Sequence, residues 1–357
     1  MSDGRPVMIM AGGTGGHIFP GLAVAEVLIS RAVPVVWLGA ADALETRLVP
    51  ARGIRLMTLP VRGVRGKGWN ARLRAPWMLL GALRAAWAVQ RRERPRSVLA
   101  LGGYAAGPGG LAAFLRRVPL VVHEQNALPG LTNRVLARLA RRVLVGFPDA
   151  LPRAVCSGNP VRAVIADLPL PAQRFAARTG RARLLVLGGS QGARALNLGV
   201  PAALALLPTA ERPEVWHQCG AQAVEATRVA YAEAGVEARI EPFIEAMEQA
   251  YAWADLALCR AGALTLAELA AAGLGAVLVP YPHAVDDHQT RNAAFMTGAG
   301  AARLLPESAL SAQALVRELG MLLADRARLL GMATAARALA RPDAAARIAD
   351  ACLEVAR

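Results

Sequence analysis

The chain is short of cysteine, aromatic residues and long uncharged apolar runs, and each shortage closes a class. Cys156, Cys219, Cys259 and Cys352 lie far apart, without the close spacing of a metal site or a disulfide framework, which fits reduced thiols in a cytoplasm. Aromatics make up 4% of the residues. They form no base-stacking platform, and no nucleic-acid module is recognisable, so no nucleic acid is expected as a partner. No apolar stretch is long and charge-free enough to span a bilayer as a helix. Met1-Ser2-Asp3-Gly4-Arg5 leads straight into a strand-like run, so no signal peptide is expected. The D-x-D pattern that commonly holds a divalent metal against a sugar diphosphate is also absent, and neither a metal nor a cofactor is expected.

What is present is a globular composition. A hydrophobic content of 55% over 357 residues is enough for two cores. The net charge of +15 is unevenly placed. Residues 1–157 carry 22 Lys and Arg against 7 Asp and Glu, while the remainder carries 19 of each. A basic first half beside a neutral second half points to a polyanionic partner for the first half alone, such as an acidic membrane surface or a phosphorylated substrate.

Strand-like and helix-like segments alternate throughout. Strands are expected at 7–10, 33–38, 55–59, 98–101, 120–123 and 143–145, and again at 184–187, 215–218, 238–242, 256–259, 276–280 and 302–305. The alternation predicts an α/β fold of two parallel, doubly wound halves, Rossmann-like and facing each other across a cleft. The pattern pauses at Ser157-Gly158-Asn159-Pro160, and Leu168-Pro169-Leu170-Pro171 reads as a hinge. The helix after Pro342 fits either half.

The first half opens with Val7–Ala11 running into Gly12-Gly13-Thr14-Gly15-Gly16-His17, with a helix expected to open at Pro20. A strand, a glycine turn and a helix start together suit a phosphate. The turn is not a dinucleotide fingerprint, because Ile18 holds the third glycine position and no acid follows the second strand. His17, on the rim of the turn, is a candidate base. Glu124, in the polar His123-Glu124-Gln125-Asn126 run at a strand's carboxyl end, is a second. A long helix over 70–94 carries Trp77, Leu80 and Trp87, with Trp69 just before it, among many arginines, the composition of a helix resting in a lipid headgroup layer.

In the second half, Gly188-Gly189-Ser190-Gln191-Gly192 satisfies G-x-S-x-G between a strand and a helix. A Ser190 hydrolase with His288 and an acid at Asp255 or Asp287 is therefore a competing reading. The preferred one makes Ser190 a hydroxyl donor to a phosphate at a helix N-terminus. Cys259 through Glu268 repeats the strand, turn and helix arrangement, and Glu268 is placed to accept vicinal ribose hydroxyls.

These motifs, with Gly102-Gly103-Tyr104, Gly158-Asn159-Pro160-Val161-Arg162 and His288-Gln289, occur in the order found in one family. Over essentially its whole length the chain resembles the MurG family of UDP-N-acetylglucosamine: N-acetylmuramyl-(pentapeptide) pyrophosphoryl-undecaprenol N-acetylglucosamine transferases. The resemblance implies a GT-B fold. Residues 1–159 would form an acceptor- and membrane-binding domain, with helix 342–357 packed back on it, and 160–341 a UDP-GlcNAc-binding domain. It implies transfer of GlcNAc from UDP-GlcNAc, with inversion, to the 4-hydroxyl of MurNAc-pentapeptide on undecaprenyl diphosphate, lipid I to lipid II, in peptidoglycan synthesis. It places substrate contacts at Thr14, Gly15, Gly16, Asn126, Arg162, Ser190, Ile244, Ala263, Leu264, Thr265, Leu266, Ala267, Glu268 and Gln289, with His17 and Glu124 as catalytic residues. Ala105-Ala106 departs from the family pattern, where a hydroxyl residue is expected. A peripheral location on the cytoplasmic face of the inner membrane, and other cell-wall synthesis proteins as partners, follow from the same resemblance. A related GT-B enzyme such as a diacylglycerol glycosyltransferase, or a sugar-nucleotide-binding protein without catalysis, stands as an alternative.

Overall fold

A computed structural model describes residues 4–41, 43–60, 69–189, 192–282, 284 and 287–356, without the side chains of 69–76. The chain divides into two compact units, Met1–Val161 with Arg341–Arg357, and Arg162–Ala340.

The first unit is built on a seven-stranded sheet. Its strands are β1 (Val7–Ala11), β2 (Val35–Ala40), β3 (Arg55–Leu59), β4 (Ser97–Gly102), β5 (Leu120–Glu124), β6 (Arg142–Val145) and β7 (Val155–Cys156). They are parallel throughout, in the order β3-β2-β1-β4-β5-β6-β7. β1 is apolar at every position because both of its faces are covered. Val7, Ile9 and Ala11 pack into a core shared with α1 (Gly15–Ser30) and α15 (Ala344–Glu354). Met8 and Met10 point into the opposite core, with α3 (Trp69–Glu93) and α4 (Ala106–Leu115). The final helix thus belongs to the first unit, where Ile348 and Cys352 are fully buried.

Helix α1 begins five residues before the position expected from the sequence. Thr14 is its extended N-cap, and Pro20 lies inside it. The sixth helical residue can be proline at small cost, because the only acceptor it orphans is the carbonyl of Gly16, which is exposed to solvent. The two glycines are therefore the helix start itself, not a loop leading to it.

The second unit repeats the plan with six parallel strands, β8 (Arg183–Leu187), β9 (Glu214–Gln218), β10 (Arg239–Glu241), β11 (Leu256–Cys259), β12 (Ala276–Leu278) and β13 (Ala302–Leu304). Their order is β10-β9-β8-β11-β12-β13. The expected hinge at 168–171 lies inside this unit. There Pro171 is buried as the first residue of α7 (Pro171–Ala176), so its prolines start a helix.

In each sheet the strand order reverses once, between β1 and β4 and between β8 and β11. Open parallel sheets bind ligands outside the carboxyl ends of the strands at such a point. The glycine and small-residue turns after β1, β4, β8 and β11 sit at these two places.

Candidate active site

At the switch point of the first unit the chain leaves β1 through Gly12 and Gly13, the latter at φ +88°. A side chain on Gly103 would strike the Gly12 carbonyl, so the turns after β1 and β4 touch backbone to backbone. The N–H groups of Gly15 and Gly16, in the first turn of α1, have no partner within the helix.

His17 is half-buried in that same turn, its imidazole lying against the α-carbon of Gly102. Nδ1 is 3.3 Å from the Thr14 hydroxyl. A neutral imidazole has one ring nitrogen that donates and one that accepts. Burial holds the His17 pKa below its ordinary value against the opposing pull of Gly12 and Glu45. Neutral imidazole with an available lone pair is what a general base requires.

Glu124 plays a different part. It is buried at the end of β5, and its carboxylate accepts from the N–H groups of Asn126 at 2.9 Å and Gly130 at 3.2 Å. The side-chain amides of Asn133, at 2.9 Å, and Asn126, at 3.3 Å, donate to it as well. Both oxygens accept hydrogen bonds from the loop that follows, which ties Glu124 to the placement of Asn126. Burial raises its pKa and these donors lower it. The neighbouring His123 is fully buried, bridging the Gly158 carbonyl and the Gln125 amide, each at 3.0 Å. Burial pushes its pKa down to about 4, so it is a neutral strut. Asn159 closes the network on the Gln125 carbonyl at 2.9 Å. Ala105 and Ala106 are fully buried in the core, and their side chains carry no hydroxyl for a ligand.

In the second unit the turn after β8 contains Gly189 and Gly192, both at positive φ, and the next helix, α8 (Arg194–Ala205), starts only at Arg194. Ser190 lies outside the described residues. The backbone around it departs from a nucleophile elbow, in which the helix follows the serine directly, and the hydrolase reading is not retained.

Helix α11 (Ala263–Ala272) starts from Gly262 after β11. The N–H groups of Ala263, Leu264 and Thr265 are free of intrahelical partners by their position, whereas that of Leu266 bonds the Gly262 carbonyl at 3.0 Å. Leu266 is also buried, and Ala267 lies deeper in the helix. Of the expected 263–267 contacts, only the first three therefore keep an N–H for a ligand.

Glu268 is on the second turn of α11, partly exposed. Arg162 donates to one of its oxygens at 2.9 Å, and the buried Tyr251 hydroxyl donates to the other at 2.9 Å. Two residues expected from the sequence thus meet directly, and Tyr251, not anticipated, completes the group. Gln289 uses its side-chain oxygen to accept the N–H groups of Ala261, at 3.2 Å, and Tyr281, at 2.9 Å, bracing the turn before α11. Ile244 is buried, and its N–H is held by the Gln218 side chain at 3.2 Å. Gln218 was likewise not anticipated. Its signal is a polar residue at the carboxyl end of a strand.

Comparison with known proteins agrees with this arrangement. Residues 7–145 match the glycosyltransferase family 28 N-terminal domain and residues 183–348 its C-terminal domain. A UDP-N-acetylglucosamine--N-acetylmuramyl-(pentapeptide) pyrophosphoryl-undecaprenol N-acetylglucosamine transferase of Alkalilimnicola ehrlichii is 59% identical over 99% of both chains. Its counterpart in Xanthomonas euvesicatoria pv. vesicatoria is 60% identical over 99% of this chain and 81% of its own. The crystal structure of Acinetobacter baumannii MurG superposes with a TM-score of 0.85 at 40% identity, covering 98% of this chain and 99% of that one. The chain belongs to the MurG family. Its fold is that family's GT-B fold, two Rossmann-like domains. The same fold extends to a UDP-GlcNAc 2-epimerase from Neisseria meningitidis, at 12% identity and a TM-score of 0.67, where the likeness is of fold alone.

Proposed function

We propose that this protein transfers GlcNAc from UDP-GlcNAc to the 4-hydroxyl of the MurNAc-pentapeptide carried on undecaprenyl diphosphate, converting lipid I to lipid II in peptidoglycan synthesis. The observation that carries the reading is identity of 59–60% along nearly the whole chain with transferases of that name. No observation favours a diacylglycerol acceptor or a binding protein without catalysis.

The polar geometry supports a division of labour. In the second unit, the N–H groups of Ala263, Leu264 and Thr265 and the turn containing Ser190 meet the donor diphosphate, whose charge grows as it departs. Glu268 takes the ribose hydroxyls, held in place by Tyr251 and Arg162, and Arg162 brings a positive charge close to the phosphates. Gln289 keeps its amide nitrogen for the ligand while its oxygen holds the turn. Ile244 meets the uracil with its carbonyl, and with its N–H once Gln218 yields.

In the first unit, His17 accepts the proton of the muramyl 4-hydroxyl through the unprotonated nitrogen of its neutral ring. Thr14, Gly15, Gly16 and Asn126 supply polar contacts beside it. The freed oxygen attacks the anomeric carbon from the face opposite UDP. The carbon–phosphate oxygen bond breaks, UDP leaves with the electron pair, and an α-linked donor gives a β-linked product.

The first unit also supports a peripheral position on the cytoplasmic face of the inner membrane. Among the described residues no helix is long and apolar enough to cross a membrane. Helices α3 and α4 instead expose Trp77, Leu79, Leu80 and Trp87 together with Phe114 and Leu115. Exposed Arg84, Arg91 and Arg117 lie on or beside these helices, and Arg116 stacks over Trp87 at 5.2 Å. The side chains of Trp69 and Leu73 lie outside the described residues. Release of UDP that depends on a lipid-linked muramyl acceptor, and is not supported by diacylglycerol, tests the proposal as a whole.

A further inference from the structure

The first unit contains a fully buried carboxylate that the mechanism above does not use. Glu45 opens the short helix α2 (Glu45–Leu48), after β2, and has no exposed surface. It reaches under the first glycine turn. One oxygen accepts the N–H of Ala40 at 2.8 Å, and the other accepts the N–H of Gly13 at 3.2 Å. These bonds tie the carboxyl ends of β2 and β1 together directly below the turn that carries Thr14 and His17.

The backbone is shaped to admit this side chain. A Cβ on Gly12 would lie 2.2 Å from a Glu45 oxygen, and one on Gly39 would lie 2.7 Å from the Glu45 Cγ. Neither glycine has a positive φ, so what each supplies is room. Two neighbouring strands therefore have a glycine within a residue of their carboxyl ends, and one acid fills the space these leave.

The placement has a chemical consequence. A turn whose Gly13 N–H is already spent on a buried carboxylate is a poor cradle for a phosphate. It is a good seat for an imidazole that must take up a proton. Among the described residues, Tyr104, after β4, and Glu124, at the end of β5, are further titratable groups on elements around His17. Glu45 is the one whose charge reaches the ring, and it favours the protonated imidazole.

We propose that Glu45 is a positioning residue for glycosyl transfer. It fixes the turn that holds His17 and stabilises the positive charge the ring acquires when it deprotonates the acceptor hydroxyl. This rests on His17 being the base, and the test separates the two claims.

Initial rates of UDP release from UDP-GlcNAc and a lipid-linked muramyl acceptor are measured against pH for the wild type, Glu45→Gln, Gly39→Ala and His17→Gln. His17→Gln should lower kcat by about 10²–10⁴-fold and abolish the acid limb of the profile. Glu45→Gln should lower kcat about tenfold, leave the KM for UDP-GlcNAc within about twofold, and move the acid limb to lower pH by on the order of one unit. Gly39→Ala displaces the carboxylate without removing its charge. It should lower kcat with a smaller shift of the limb, which keeps the test open if Glu45→Gln folds poorly. An acid limb unmoved in both Glu45→Gln and Gly39→Ala, but lost in His17→Gln, would overturn the proposal for Glu45. A wild-type limb persisting in His17→Gln would instead overturn the assignment of the base.

Discussion

Glu268 stands between two donors, so truncating it does two things at once. Glu268→Ala removes the proposed ribose contact and also leaves the buried Tyr251 hydroxyl and the Arg162 guanidinium without their acceptor. An unsatisfied buried group costs about 1–3 kcal/mol of stability, so a loss of activity in that variant has two explanations. Glu268→Gln keeps the shape and one acceptor oxygen. It should weaken UDP-GlcNAc binding by about 1.5–3 kcal/mol through loss of charge-assisted hydrogen bonds, with a smaller change in melting temperature. Calorimetry showing unchanged affinity would remove Glu268 from the donor site. His17 and Glu268 stood out as candidates because each lies at or near a glycine or small-residue turn after a strand, whereas Arg162 and Gln289 entered through the family resemblance. Tyr251, Gln218 and Glu45 did neither. Each acts through a partner distant in sequence, and nothing local separates a buried acid in Glu45-Thr46-Arg47-Leu48 from an ordinary solvated helix residue.

Helix α3 shows how an element can satisfy the fold and still leave a surface for another purpose. It packs inward through Ala82, Ala86 and Gln90, whose amide donates to the Gly109 carbonyl of α4 at 2.8 Å. Small residues on that face let the two helices approach, while Trp77 and Trp87 are exposed, Trp77 by 76%. Helical spacing alone marked the tryptophan stripe; which side faced the core depended on α4, which no local pattern shows. Wild-type protein should co-sediment with anionic vesicles, and Trp77→Ala/Leu80→Ala should do so weakly, most clearly in high salt where the arginine contribution of about 1 kcal/mol each is screened. Equal binding of both to anionic and neutral vesicles at any salt would leave this helix an ordinary part of the core. Strand positions were read to within a residue or two because both faces of each sheet are covered and the strands are nearly all apolar. The two-residue β7 was missed for want of any pattern, and the start of α1 was misplaced because Pro20 suggested a first-turn position.

At the scale of the molecule, each unit has a histidine held neutral in its interior. His123 in the first unit has its pKa pushed down to about 4. His217 in the second, bonded to Tyr231 at 2.9 Å and Asn197 at 3.0 Å, is pushed down to about 3. In the unfolded chain both titrate near 6.5, so between that pH and the folded values the unfolded state binds more protons and stability falls as pH falls. Each should cost about 2 kcal/mol between pH 7 and pH 5. Melting temperatures that hold level over this range would show that neither ring is sealed from protonation. The repeated plan of two doubly wound units was readable because the alternation of strands and helices restarts near 184, while the return of the last helix to the first unit depended on which core its apolar face would fill. The central claim remains the reaction itself. Incubating the protein with UDP-GlcNAc and lipid-linked MurNAc-pentapeptide, and determining the product by mass and by the anomeric configuration of the added sugar, tests it most directly. The account requires one GlcNAc added in β linkage to the muramyl 4-position for each UDP released. Free GlcNAc in place of a disaccharide, an α linkage, or no UDP release in the presence of the acceptor would contradict it.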